Sequence, residues 1–380
     1  MQGLSLIELM IALLIGLILL IGLVQVFGAS RTAYQLSEGL ARVQENGRFA
    51  MDYLQRDIRM AGHYGCVNDQ ARLQTNGALI SHLAATDNPL NFAISIQGYE
   101  AANSAPTNTV NVAGATAGFT PALPAYLSNL NPAPRVGSDV LMLRYLGANG
   151  VPIIGVAGSQ VTVDSGKWSV LTDEGVATPV LFGASDCSYT DVFQGSTVAP
   201  GTGVVTATAN GLNTTATDFS GRYTASPAGQ SMLYRANAVA YYVGVNNRGV
   251  PSLYRARFSS TAGSNAITNI TEELVEGIEN LQLLYGQDES TDVNSLSGNI
   301  GMQNTAAVVD PAGGVTNAAS WRRVGQVQVG LLARSPDISS APAPVDPRRA
   351  LGVVYTVPAD GRYRNSYEAT IALRNRLYGQ

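Results

Sequence analysis

The sequence is poor in charged residues, histidine and cysteine. Charged side chains make up 13% of its 380 residues, the net charge is −4, and His and Cys occur twice each. A nucleic-acid-binding protein usually carries a basic surface, which this balance does not indicate. Two histidines leave little for a zinc site or a catalytic triad. The sequence has neither a Gly-x-Ser-x-Gly motif nor a phosphate loop with Gly-Lys-Ser/Thr, so we expect no enzyme, no metal and no cofactor.

A long apolar run lies near the beginning of the chain. From Leu9 to Val24 there is no charged or strongly polar residue, and extension to Ala29 adds only Gln25 as an interruption. A helix of about 20 such residues can cross about 30 Å of hydrocarbon. Glu8 lies at the start of this run, where an unpaired carboxylate costs about 2.5–3.5 kcal/mol in a membrane. Its presence therefore calls for a functional reason.

Two simpler interpretations of this run are a removable signal peptide and a plain membrane anchor. A signal peptide has a basic start and an apolar core of about 7–15 residues, whereas this chain has no Lys or Arg before Arg31 and a longer run. A plain anchor explains the length of the run. It does not explain Glu8, nor Gly3 just before the run.

The helix is predicted to continue beyond the apolar run with a single apolar stripe. Apolar residues recur at spacings of three, four or seven at Leu36, Leu40, Val43, Ala50, Leu54, Ile58 and Ala61. The opposite face places Glu38 four residues before Arg42, and Gly62 and Gly65 end the pattern. A helix over residues 4–61 would be about 87 Å long. Its second half must pack on the rest of the protein.

The remaining chain reads mostly as strands. Candidates are 140–145, 160–163, 204–208, 239–245, 253–258, 281–285, 324–332, 353–357 and 367–373. In 324–332, Val327, Val329 and Leu331 alternate with polar or small residues, which predicts one buried face. The segment 246–249 predicts a hairpin turn. The acidic first turn and the spacing of apolar residues in 272–282 predict one short helix.

The beginning of the chain, Gly3-Leu4-Ser5-Leu6-Ile7-Glu8-Leu9-Met10, resembles the processing signal of type IV prepilins and type II secretion pseudopilins. The resemblance implies cleavage after Gly3 by a prepilin peptidase and methylation of Leu4, although the family usually has Phe there and a basic leader. It also implies that Glu8 pairs with the amino-terminal charge of a neighbouring subunit. Such pairing offsets the desolvation of both charges and sets subunit register.

Further segments resemble the PilW family of minor pilins, namely residues 41–50, 56–66, 274–286 and 370–377. The resemblance implies an α+β, pilin-like fold with a long amino-terminal helix on a mostly antiparallel, β-rich head. The expected organisation is a leader (1–3), a transmembrane or filament-core half-helix (4–29), an amphipathic half-helix (30–62) and a periplasmic head (63–380).

The same resemblance implies a protein that helps to initiate type IV pilus assembly and lies at or near the pilus tip, with roles in adhesion and twitching motility. The implied partners are other minor pilins, the major pilin, the inner-membrane pilus platform, the prepilin peptidase and a tip adhesin. The implied location is the inner membrane, with the head in the periplasm, and the pilus. Two alternatives remain: a pseudopilin of type II secretion, and a membrane-anchored protein whose head binds a surface or a sugar.

Two features of the head depend on its export. In an oxidising periplasm the two cysteines, Cys66 and Cys187, suggest one disulfide. Closing a loop of that length stabilises the fold by about 4–5 kcal/mol in the chain-entropy description. The oxygen-rich segment 288–294 could hold calcium, but it lacks the Gly and closing Glu of an EF-hand. A solvated loop is therefore the favoured interpretation.

Overall fold

A single long helix, α1 (Leu6–Met60), leads into a head built mostly of strands. The computed structural model describes residues 5–68, 78–84, 88–293, 295–311, 318–339, 341 and 347–376. Helix α1 ends where predicted, because Ala61 leaves the helical region and Gly62 adopts a positive φ of 74°. Below, α1 is called the spine.

The largest sheet contains 13 strands within the described residues. They are β3 (Leu79–Ser81), β4 (Ile96–Ala101), β6 (Phe119–Thr120), β7 (Val140–Leu146), β8 (Val151–Ala157), β9 (Gln160–Val163), β10 (Leu181–Ser185), β11 (Thr190–Gln194), β12 (Thr197–Ala199), β13 (Val204–Thr206), β14 (Met232–Val245), β15 (Pro251–Ser260) and β16 (Ile267–Glu276). Strand β14 is long enough to pair with different strands along its two halves. Its first half pairs with β8 and β10, and its second half pairs with β7 and β15.

Two smaller sheets complete the head: the four-stranded sheet packs against the spine, and the three-stranded sheet packs against the four-stranded one. The four-stranded antiparallel sheet has the order β18 (Ile300–Asn304), β17 (Ile278–Asp288), β19 (Val324–Arg334), β22 (Arg364–Ala372). A three-stranded sheet contains β20 (Arg348–Ala350), β21 (Val353–Thr356) and β5 (Thr109–Asn111). A further hairpin pairs β1 (His63–Tyr64) with β2 (Val67–Asn68). Among these strands the parallel pairs are β3–β11 and β5–β21, so the head is mostly antiparallel, as predicted.

Short helical segments connect the strands. They are α2 (Ala125–Ser128), α3 (Phe219–Arg222), α4 (Ala306–Val309), α5 (Ala318–Arg322) and two 3₁₀ segments, Ser165–Gly175 and Arg374–Arg376. The predicted inward face of 324–332 is confirmed, since Val327, Val329 and Leu331 are fully buried. The predicted turn at 246–249 is also confirmed. It joins β14 to β15, with the Asn246 N–H donating to the Val250 oxygen at 2.9 Å.

The helix predicted for 272–282 is wrong. The segment belongs to two strands, β16 and β17, which meet at Gly277 with a positive φ of 81°. The Gly277 N–H donates to the Pro251 oxygen, and its oxygen accepts from the Arg334 N–H. This glycine therefore carries the chain from the large sheet to the four-stranded sheet. Burial of β17 on both faces produced an apolar spacing that resembles a helix.

The principal core lies where the spine meets both sheets. It contains spine residues such as Val43, Leu54 and Ile58, together with side chains of β7, β14, β17 and β19. A second core covers the opposite face of the large sheet. A third, rich in aromatic residues, fills a lobe formed by β8–β13, the 3₁₀ segment 165–175 and α3. We call this third unit the distal lobe. The spine is thus an integral part of the head's main core.

Candidate functional site: the spine and its docking on the head

The first half of the spine exposes almost all of its apolar side chains. Within the described residues, the spine is the helix that is long and apolar enough to cross a membrane, and its most apolar stretch is not buried at all. Leu6, for example, is 78% exposed, and Leu23 is 68% exposed. An apolar surface of this extent requires a membrane or other protein chains around it.

Ser5 and Glu8 form a capping box at the start of the spine. The Glu8 N–H donates to the Ser5 hydroxyl oxygen at 3.3 Å, and the Ser5 N–H donates to a Glu8 carboxylate oxygen at 3.1 Å. This arrangement satisfies two backbone donors at the helix start, and its negative charge suits the positive end of the helix dipole. Glu8 therefore has a local structural role that the sequence analysis missed. Gly3 and Leu4, the predicted processing residues, lie outside the described residues.

The second half of the spine docks on the head through the predicted stripe, with two glycines in it. Val43, Ala50, Leu54 and Ile58 are fully buried. At Gly47 an added Cβ would clash with the ring of Tyr367, whose hydroxyl donates to the Val43 oxygen at 3.1 Å. Gly39 approaches Ser339 in the same way. The sequence signal for these glycines was their spacing of eight residues on the apolar face, two turns apart.

A buried carboxylate, Asp57, links the spine to the large sheet. It is 2% exposed, although its neighbours Asp52 and Arg56 are exposed. The Tyr241 hydroxyl donates to Asp57 Oδ2 at 2.6 Å, and Arg255 Nη1 lies 3.6 Å from the same oxygen. Burial, and then the charge of Asp57, raise the pKa of Tyr241 well above its usual value. Its spacing, three residues after Leu54 and four before Ala61, places it on the docked face of the helix, a signal that the sequence analysis did not use.

Charged residues on the exposed face of the spine also contact the head. Glu38 and Arg42 form the predicted pair at 3.2 Å. Arg56 bridges to Glu174 of the 3₁₀ segment in the distal lobe, and its Nε lies 3.4 Å from Asp57 Oδ1 on its own helix. Glu174 has a positive φ of 60° and also pairs with Arg235 of β14 at 3.2 Å. The spine, the large sheet and the distal lobe are therefore joined at this point.

A disulfide fixes the turn between β1 and β2, which follows the spine, to the distal lobe. Cys66 and Cys187 are bonded across 121 residues, with their Cα atoms 4.8 Å apart. Cys187 lies in the loop between β10 and β11. This bond is consistent with the pairing expected from the two cysteines.

The oxygen-rich loop after β17 is organised by Asp288. Its carboxylate accepts hydrogen bonds from the N–H groups of Ser290, Ser297 and Gly298. Burial alone raises the pKa of Asp288, but these hydrogen bonds outweigh it and hold the pKa below its usual range. The carboxylate thus serves as the centre of a turn. Asn294 lies outside the described residues.

A long helix with an exposed apolar half, docked by its other half on an antiparallel head, is a pilin-like architecture. Residues 240–375 match the family described as PilW, type IV pilus-assembly protein W. This match supports the prediction of a PilW-family pilus protein and its involvement in type IV pilus assembly. No curated protein matches the chain. The matched segment begins within β14 and contributes Tyr241, Arg255 and Tyr367, which contact the spine.

Proposed function

We propose that this protein is a minor pilin, anchored in the inner membrane by the first half of its spine, which helps to initiate type IV pilus assembly. The observation that supports this most strongly is the contrast between the two halves of α1. One half buries a stripe of side chains in the head, and the other half is apolar and exposed. In the membrane that exposed half is covered by lipid, and in a filament by the spines of other subunits.

Within this proposal, Glu8 carries out a second task besides capping. Its carboxylate lies in the first turn and accepts from the Ser5 N–H, and processing after Gly3 would create a new amino terminus at Leu4. A positively charged amino terminus from a neighbouring subunit, brought into the apolar core, would offset the desolvation of Glu8. Subunits in the wrong axial register would leave both charges unpaired, so the pair selects the correct register.

The size of the head favours a position at or near the pilus tip. The distal lobe, built on β8–β13 of the large sheet and with its own core, adds to the size of the head. A bulky head is difficult to repeat along a close-packed shaft but is readily accommodated at its end. The proposed partners are therefore other minor pilins beside it, the major pilin below it and a tip adhesin above it. We assign no catalytic step to the head; its roles in adhesion and twitching motility follow from assembly.

Substitutions at Glu8 separate charge pairing from helix capping. Glutamine can replace glutamate in a capping box but carries no charge. If pairing matters, both Glu8→Gln and Glu8→Ala should abolish pilus assembly and twitching when they replace the wild-type chain. Glu45→Ala, at an exposed spine position, is the matched control and should assemble pili normally. Normal piliation with Glu8→Gln would refute the pairing role.

The remaining parts of the proposal are tested by mass and by co-purification. Intact mass should show loss of the first three residues and one added methyl group on Leu4; retention of Met1 would exclude processing. Co-purification with pilus components supports this proposal, whereas co-purification with secretion components would favour the pseudopilin alternative. Labelling of the head in isolated pili should mark filament ends only, and label along the shaft would contradict the tip location.

A further inference from the structure

A cavity of about 370 Å³ opens beside the end of the spine. Its walls are β14, β15 and β16 on one side and the segment 174–181 of the distal lobe on the other. Arg257 of β15 lies directly opposite Ile270 of β16, and Ser259 lies opposite Thr268. Residues at i and i+2 of a strand share a face, so these four side chains belong to the same wall.

Arg257 is the arginine in this wall that lacks an acidic partner among the described residues. Its neighbours are paired: Arg235 with Glu174 at 3.2 Å, and Arg255 with Glu272 at 2.9 Å. Arg257 donates from Nη1 to the Glu174 backbone oxygen at 3.3 Å. Burial, and then the charge of Arg255, lower the pKa of its guanidinium. Glu272, which also lines the cavity, attracts this guanidinium but is paired with Arg255. A guanidinium stays protonated in proteins, so the charge of Arg257 is incompletely compensated and favours an anion.

Asn237 provides an unused donor in the same cavity. It is 3% exposed, and its Oδ1 accepts a hydrogen bond from Arg235 Nε at 3.0 Å. Because Arg235 Nε is a donor, the Asn237 atom that faces it must be the amide oxygen, and the amide cannot be flipped to exchange its oxygen and nitrogen. Its Nδ2 is therefore fixed as a buried donor, and it has no hydrogen-bond partner among the described residues. Such a group costs about 1–3 kcal/mol, which an acceptor on a ligand would remove.

We propose that this cavity binds an acidic sugar, with Arg257 pairing to the carboxylate and Asn237 Nδ2 donating to a ligand oxygen. The rest of the wall suits a sugar ring. The hydroxyl groups of Ser259 and Thr268 can exchange hydrogen bonds with ring hydroxyls, and exposed Ile270 offers an apolar surface to a ring face. Cavities of this volume lie within the range of small-molecule sites. This activity goes beyond pilus assembly and does not depend on it.

The test uses the full-length protein in detergent micelles and isothermal titration with glucuronate. Glucuronate should bind, and its neutral methyl ester should bind at least about tenfold more weakly, because charge-assisted hydrogen bonds to arginine are lost. N-acetylglycine supplies one carboxylate without the ring and should also bind at least about tenfold more weakly. Equal binding of the ester, equal or tighter binding of N-acetylglycine, or no glucuronate binding at all would overturn the proposal.

Two variants locate the binding in this cavity. Arg257→Gln removes the charge, and Ile270→Glu places a repelling carboxylate at a position that is 69% exposed, where it does not disturb the core. Each should weaken glucuronate binding by at least about tenfold. Arg349→Gln, at an exposed arginine of β20, is the control and should bind as wild type. If Ile270→Glu folds normally by circular dichroism and retains full affinity, the cavity is not the site.

Discussion

Asp57 provides the sharpest test of how the spine is held. In Asp57→Asn the amide oxygen can still accept from the Tyr241 hydroxyl, now 2.6 Å away, so the side chain keeps its shape and one hydrogen bond. It loses the charge that faces Arg255 and Arg56. Arg255 retains Glu272, which limits the loss. We therefore expect a destabilisation of about 2–3 kcal/mol, below the cost of leaving a buried charge fully unpaired.

Asp52→Asn is the matched control for this substitution. It makes the same chemical change on the same helix, five positions earlier, but Asp52 is exposed. The expected effect is within about 0.5 kcal/mol of wild type. The assay is urea unfolding of the full-length protein in micelles. Tryptophan fluorescence should be recorded in a Trp168→Phe background, since the remaining Trp321 is fully buried in the core beside the spine.

A double-mutant cycle then measures the contact between the spine and the sheet. Tyr241→Phe, made alone and with Asp57→Ala, should show a coupling free energy of about 0.5–3 kcal/mol, because each substitution removes the hydrogen bond that the two side chains share. A zero coupling, or equal effects of Asp57→Asn and Asp52→Asn, would refute the argument that a buried polar link fixes the spine on the head.

Three further predictions use the same unfolding measurement. Gly47→Val should cost about 1–3 kcal/mol through its clash with Tyr367, whereas Gly28→Val, which has no atom within 4 Å, should leave head stability unchanged; equal effects would contradict the packing. Cys187→Ser should cost about 2–5 kcal/mol, and no loss under oxidising conditions would show that the bond does not form. Burial, and then Asp139, raise the pKa of Glu100 from 4.5 to about 9, so wild-type stability should fall as pH rises through that window by up to about 1.4 kcal/mol per unit. Burial raises the pKa of the neighbouring Asp139 to about 7, so Glu100→Gln should remove the slope above about pH 7, and parallel pH profiles for the two proteins in that range would refute it.

The sequence was most informative where one physical constraint acted alone. The exposed half of the spine had to be apolar on all sides, and the docked half needed a stripe at helical spacing, so both were predictable. Strands with one buried face, such as β19, were also predictable from alternation. The disulfide could be predicted because the sequence has two cysteines, which leaves one possible pairing.

The sequence was least informative about residues whose surroundings are formed by elements that lie far apart in the chain. Strand β17 is buried on both faces, so its apolar residues do not alternate. The residue spacing around Gly277 therefore predicts a helix, where the chain in fact turns from one strand into the next. Asp57 lies at the helical spacing of the docked stripe, but its partners Tyr241 and Arg255 are about 200 residues away in the chain, so the sequence did not show what would pair with it. The cavity at Arg257 likewise depends on three strands and a loop that the sequence does not place together.

The matched segment, 240–375, divides the head in a way that bears on function. It supplies the four-stranded sheet and, from the large sheet, β15, β16 and the second part of β14, all of which contribute to the core around the spine. The distal lobe, formed by β8–β13, precedes the match and has its own aromatic core. The proposed sugar cavity lies at the junction of the two, with Arg257 and Ile270 inside the matched segment and Glu174 and Arg235 outside it. Assembly and ligand recognition would then be carried by adjoining parts of one head. Substitutions in the cavity should therefore change sugar binding without changing the number of pili.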